Sequence, residues 1–217
     1  MRVIVTRPEG QAEPLASRLH ELGHEVVLCP LVRIEPLGAE PVDVSGYDWV
    51  IVTSPNGAAQ LARRGRGRPA RIAAIGPGTA EALAAEGIRV DLVPRVSTQE
   101  GLLEELPRPA GRVLLTAAEG ARRLLVDELG ADFVPLYRTV ELRPAAPPDG
   151  DLVVLASASA ARGFGRLAIE VPAVSIGPQT TATARAAGIR VVAEASRHDL
   201  EGLVAAVASL PPCSSRS

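Results

Sequence analysis

The chain has 217 residues, 47% of them hydrophobic, and a formal net charge of −2. That is enough for one large domain or two small ones. No apolar run approaches the roughly 18 residues that cross a bilayer, and aromatics at 2% without a basic excess offer a nucleic acid little to bind.

All 23 lysine-or-arginine positions are arginine, which excludes Schiff-base chemistry, pyridoxal phosphate attachment and a Walker loop. His20, His24 and His198 are scattered, and Cys29 and Cys213 have no metal-type spacing, so no metal site is expected. The N-terminus reads as a strand pattern, so no signal peptide is expected, and the cysteine usage reads as reduced and cytoplasmic.

In chain order, residues 3–6 read as a buried strand. A helix follows with Ala12, Leu15, Ala16, Leu19 and Leu22 on one face, closed by Gly23. Residues 25–31, including Cys29, read as the next strand. Residues 48–53 read as a strand, followed by Ser54 as N-cap and Pro55 as first helical residue. Residues 65–69 read as a basic surface loop. A strand at 73–76, a helix at 79–86 and a strand at 90–94 come next. Ser97 and Glu100 form a capping box for a helix through Leu106. The pattern continues with a strand at 112–116, a helix at 119–129 ended by Gly130, and strands at 131–136 and 151–156. A strand at 173–177, a helix to 187, a strand at 191–195 and a helix at 199–210 complete it. The tail 211–217 reads as disordered.

Strands alternating with helices predict α/β units with parallel sheets. An internal repeat says more. Ile75-Gly76-Pro77-Gly78-Thr79 recurs as Ile176-Gly177-Pro178-Gln179-Thr180, and Gly87-Ile88-Arg89-Val90 as Gly188-Ile189-Arg190-Val191, both at an offset of 101 residues. Arg2-Val3-Ile4-Val5-Thr6 matches Arg112-Val113-Leu114-Leu115-Thr116, and Pro30-Leu31-Val32-Arg33 matches Pro135-Leu136-Tyr137-Arg138. The order of the units predicts two similar domains, one of them discontinuous: residues 1–33 with 143–217, and residues 38–136. Residues 34–37 and 137–142 are expected to pair as a two-stranded bridge. An equal division into halves is the competing reading, and it leaves the two alternating crossings without a reason.

The common catalytic kits are absent. There is no Gly-x-Ser-x-Gly elbow, and Gly76-Pro77-Gly78 lacks the third glycine of a dinucleotide fingerprint. What remains is a set of strand ends rich in hydroxyls and helix-start N–H groups: Thr6 and Arg7, Ser54 and Asn56, Gly76 and Thr79, Ser157 and Ser159, Gly177 and Thr180. In open α/β sheets the ligand sits beyond the carboxyl ends of the strands. Helix starts favour anions, so this lining suits a small molecule with several carboxylates or phosphates. Thr79 and Thr180 are expected to face each other across a gap between domains. The bland readings stand beside this one: Ser54, Ser157 and Thr79 as caps alone, Tyr137 as a strand residue, and Arg63 to Arg68 as a solvated face.

Several stretches together resemble uroporphyrinogen-III synthase. They are Val5-Thr6-Arg7-Pro8 with Gly10-Gln11, Trp49-Val50-Ile51-Val52-Thr53-Ser54-Pro55-Asn56, the two Ile-Gly-Pro-x-Thr motifs, Ser97-Thr98 with Glu100-Gly101-Leu102, and Pro135-Leu136-Tyr137-Arg138-Thr139. The resemblance runs in order along essentially the whole chain. It implies two α/β domains joined by a two-stranded bridge. It also implies a cofactor-free hydro-lyase that dehydrates and cyclises hydroxymethylbilane, a linear tetrapyrrole with multiple carboxylates, inverting the terminal pyrrole in the interdomain cleft. Tyr137 is then the candidate to assist loss of the hydroxyl, while Ser54, Thr79, Ser157 and Thr180 match cleft positions that hold carboxylates. The stretch Thr116-Ala117-Ala118 lacks an arginine often found there, a contact that Arg7 or Arg138 is expected to replace. No nucleic acid, membrane or cofactor is expected, and the chain is expected to act as a monomer. A non-catalytic two-domain binder of an anionic small molecule is the alternative.

Overall fold

The structure is a computed structural model and describes residues 1–211; the expectation for the tail falls largely on residues outside that range. In chain order the first elements are β1 (Arg2–Val5), α1 (Glu13–Glu21), β2 (Glu25–Leu28), β3 (Val32–Pro36), β4 (Val42–Asp43) and β5 (Trp49–Val52). Then come α2 (Pro55–Arg64), β6 (Gly65–Arg66), β7 (Arg71–Ala74), α3 (Pro77–Ala85), α4 (Gln99–Glu105), β8 (Val113–Ala118) and α5 (Leu124–Leu129). The remainder are β9 (Asp132–Glu141), β10 (Leu152–Leu155), α6 (Ala158–Gly165), β11 (Ala173–Ser175), α7 (Pro178–Ala186), β12 (Val191–Glu194) and α8 (Leu200–Ala208).

The chain divides into two compact units. The first takes Met1–Arg33 with the chain from Thr139 onward, and the second takes Ile34–Arg138. The first carries a sheet in the order β12-β11-β10-β1-β2, parallel throughout. The second carries β9-β8-β5-β7 as parallel neighbours, with β3 added beyond β9. Leu37 N donates to Leu136 O and Leu142 N to Leu31 O, so β3 and β9 run antiparallel. This is the expected fold: two similar parallel-sheet α/β domains with a two-stranded bridge.

Strand for strand, β2-β1-β10-β11-β12 corresponds to β9-β8-β5-β7 and a single bridge at Leu92. Both follow the doubly wound order 2-1-3-4-5, with its switch point between the first and third strands of the repeat. In the first unit that is β1 beside β10, and in the second β8 beside β5. Both central pairs are buried on both faces, which is why they read as unbroken apolar runs rather than alternating ones. Each sheet separates two apolar clusters, and no cluster draws residues from both units.

Several local expectations need correction. Residues 90–94 are not a strand; only Leu92 bridges, to Ala73. Thr98, not Ser97, caps α4, its Oγ1 accepting from Gly101 N at 3.1 Å. The helix expected from residue 119 begins at Leu124, where no side chain caps it. The basic loop at 65–69 opens with β6, which pairs in parallel with β4. β2 ends at Leu28, so buried Cys29 lies just past it.

Candidate active site

In the second unit, the strands β8 and β9 and the turn that follows β5 carry three hydroxyls near the switch point. Ser54 follows β5 in extended conformation, and its Oγ accepts the Gly57 N–H at 3.0 Å. Serine suits this place because its short side chain replaces the missing backbone partner of the first helical turn, and Pro55 has no N–H to leave unsatisfied. Thr116, on β8, is fully buried and donates to Ile51 O at 3.1 Å. Tyr137, on β9, places its Oη 2.8 Å from Ser54 Oγ.

The aim of Tyr137 comes from a β-bulge. Ala117 pairs with Pro135 but Ala118 with Tyr137, so β9 carries one extra residue, Leu136. Proline cannot donate to the ladder and is tolerated inside a sheet at such a bulge. The bulge also breaks the alternation of faces. Leu136 and Tyr137, though adjacent, therefore bury into the same apolar cluster. Glu119 N donates to Tyr137 O at 2.8 Å and fixes the backbone. Burial pushes the phenol above the ordinary tyrosine value, with Ser54 opposing. A neutral phenol in that setting is a hydrogen-bond donor, not a base.

The first unit repeats the frame without the phenol. Thr6 donates to Val154 O at 2.9 Å as Thr116 does to Ile51, and Ser157 Oγ accepts from Ala160 N at 3.1 Å as Ser54 does from Gly57. Val32 takes the repeat position of Tyr137, and Arg7 that of Ala117. Thr6 is removed from the ligand-binding set: it is 0% exposed and its hydroxyl proton is used inside the sheet.

Helices α3 and α7 differ from α2 and α6. Their N-caps are Gly76 and Gly177, with no side-chain cap. Thr79 and Thr180 are third helical residues, not caps, and are only 4% and 5% exposed. Both glycines are extended, so a left-handed turn is not their reason. A Cβ on Gly76 would lie 2.6 Å from Ser97 Oγ, and one on Gly177 2.9 Å from His198 Cδ2. A side chain at either place would have to displace Ser97 or His198, so glycine keeps these turns closely packed on them. The sequence reading missed Ser97 and His198 as partners of these turns, although they stand at the repeat offset of 101 residues.

The family sequence model described as Uroporphyrinogen-III synthase HemD matches residues 13–205. The chain belongs to the uroporphyrinogen-III synthase family. It is 29% identical to the uroporphyrinogen-III synthase of Synechococcus elongatus, the match covering 94% of this chain and 93% of that protein. It is 28% identical to the porphyrin biosynthesis protein HemD of Ruminiclostridium josui, covering 91% of this chain but 46% of the relative. A crystal structure of a mutant uroporphyrinogen III synthase from Thermus thermophilus matches with a TM-score of 0.60 at 18% identity, covering 96% of this chain and 97% of that one. That likeness is one of fold.

The other expected site residues have individual surroundings. Asn56 is half-buried in the first turn of α2. Ser159 Oγ accepts from Arg162 at 3.3 Å. Arg138 is exposed and bound to Glu35 at 2.8 Å, which makes it a poor substitute for the arginine missing from the stretch that begins at Thr116. Arg7 is half-buried and makes no hydrogen bond or ion pair among the described residues. No group of three or more His, Cys, Asp or Glu that could hold a metal occurs among the described residues.

Proposed function

We propose that the chain is a uroporphyrinogen-III synthase: a cofactor-free hydro-lyase that removes the terminal hydroxyl of hydroxymethylbilane as water, inverts the last pyrrole and closes the macrocycle. Family membership supports the reaction class. The Ser54–Tyr137 pair is the observation that carries the assignment of chemistry. Ser54 Oγ already accepts from Gly57, so the pair forms one mutual hydrogen bond and keeps one hydroxyl proton over. That proton is available to the leaving hydroxyl, the step at which a donor counts most. The bilane closes unaided without inversion, so the protein's larger task is to hold one conformation. The N–H groups at the uncapped starts of α3 and α7 and the caps Ser54 and Ser157 serve the substrate's carboxylates through hydrogen bonds. The chain acts as a monomer on this small molecule, without nucleic acid or membrane.

The test is conversion of hydroxymethylbilane followed by separation of the product isomers. Type III is expected; type I alone, as in buffer, leaves only a binder of anions. Tyr137→Phe should lower kcat by roughly 100-fold, within the range for a positioned acid, while circular dichroism stays unchanged. A rate within twofold of the parent would remove Tyr137 from the chemistry.

A further inference from the structure

We infer that Arg7 is a specificity-determining anchor, its guanidinium binding one carboxylate of the substrate at the end of β1. The inference rests on the reading of the substrate as a polycarboxylate. Three observations carry it. Arg7 follows Thr6 at the switch point between β1 and β10, where an open doubly wound sheet receives its ligand. It is half-buried, yet among the described residues it forms no hydrogen bond, ion pair or ring contact. Three other arginines of the first unit are engaged: Arg2 with Glu25 and Asp149, Arg18 with Glu21 and Glu201, Arg166 with Glu141. The repeat supplies the third observation. The second unit places Ala117 at the position of Arg7, fully buried and inside β8, which runs on to Ala118 where β1 stops at Val5, and keeps the same threonine bond beside it. The fold therefore has no need of an arginine there.

A guanidinium drawn partly out of water without a partner costs stability. Burial also lowers the pKa of Arg7 from the ordinary arginine value, in keeping with a charge that lacks a counter-ion. A carboxylate arriving at this place regains what desolvation removed, through two parallel N–H···O bonds.

The experiment compares the parent chain with Arg7→Met, Arg7→Lys and, as a control for net charge, Arg190→Met, which precedes β12 at the amino end of the sheet. Steady-state formation of the type III isomer gives KM and kcat. Binding of uroporphyrin, the oxidised macrocycle with eight carboxylates, gives an affinity that needs no turnover. For Arg7→Met, KM and the porphyrin Kd should each rise about 10- to 100-fold, the loss expected for charge-assisted hydrogen bonds, with kcat within a few-fold. Arg7→Lys should recover part of the loss, and Arg190→Met should match the parent. Without ligand, Arg7→Met should melt at or above the parent, since it removes an uncompensated charge. Unchanged KM and Kd in Arg7→Met overturn the inference, as does a lower ligand-free melting point without loss of affinity. If the parent forms only type I, the proposed reaction fails separately, and the porphyrin Kd still decides on Arg7.

Discussion

Ser54 and Ser157 do the same local job, and only one of them touches a phenol. Each caps a helix through its Oγ, at 3.0 Å from Gly57 N and 3.1 Å from Ala160 N. Replacing either with alanine should cost about 1 kcal/mol of folding stability, the usual price of a lost cap. Ser54→Ala should also lower kcat, because it removes the hydroxyl that orients Tyr137; Ser157→Ala should act on KM at most. Equal losses of kcat would show that the Tyr137 contact is not what distinguishes them. Caps of this kind are legible in a sequence, since Ser-Pro before a helix is a purely local pattern. The Tyr137 partnership is not, because it depends on the extra residue Leu136 opposite Ala117 and Ala118. Thr6 misled for a related reason. Its strand-end position is readable, but the direction of its hydroxyl follows from β10, which lies far along the chain.

Among the elements, α4 and α8 show how much of the repeat lies in packing rather than in residue type. Thr98 caps one and Asp199 the other, each accepting from a glycine N–H three residues on, at 3.1 Å and 2.7 Å. A Cβ on Gly101 would lie 2.2 Å from Val96 O, and one on Gly202 2.0 Å from Arg197 O. Backbone cannot move aside as a side-chain end can. Gly101→Ala and Gly202→Ala should therefore each destabilise by about 1–3 kcal/mol, the cost of overpacking. Gly78, in the first turn of α3, has nothing within 4 Å of such a Cβ. Gly78→Ala should gain up to about 1 kcal/mol of helix propensity. Urea midpoints for the three variants should divide into two losses and one gain; a loss at Gly78 would contradict the open space found there. The offset of 101 residues made most elements legible, and it covers Thr98 and Asp199 too. It did not show that the segment matching β12 is reduced to one bridge at Leu92, because strand formation depends on the neighbour as well as on apolar composition.

At the scale of the whole molecule, each unit has its own sheet and its own two apolar clusters, so each can melt as a separate cooperative body. The single tryptophan of the chain, Trp49, is buried in the second unit, so its fluorescence reports that unit alone. Far-ultraviolet circular dichroism reports both. Phe164 is 1% exposed in the first unit, and Leu115 is 0% exposed in the second. Phe164→Ala should cost about 3–5 kcal/mol and Leu115→Ala about 2–5 kcal/mol, from lost transfer energy and the cavity left behind. In a urea titration, Phe164→Ala should shift part of the dichroism signal to lower denaturant and leave the Trp49 fluorescence midpoint where it is in the parent. Leu115→Ala should move the fluorescence midpoint and the other part of the dichroism. If Phe164→Ala moves both probes together by the same amount, the chain unfolds as one body and the separation of its cores does not extend to its stability.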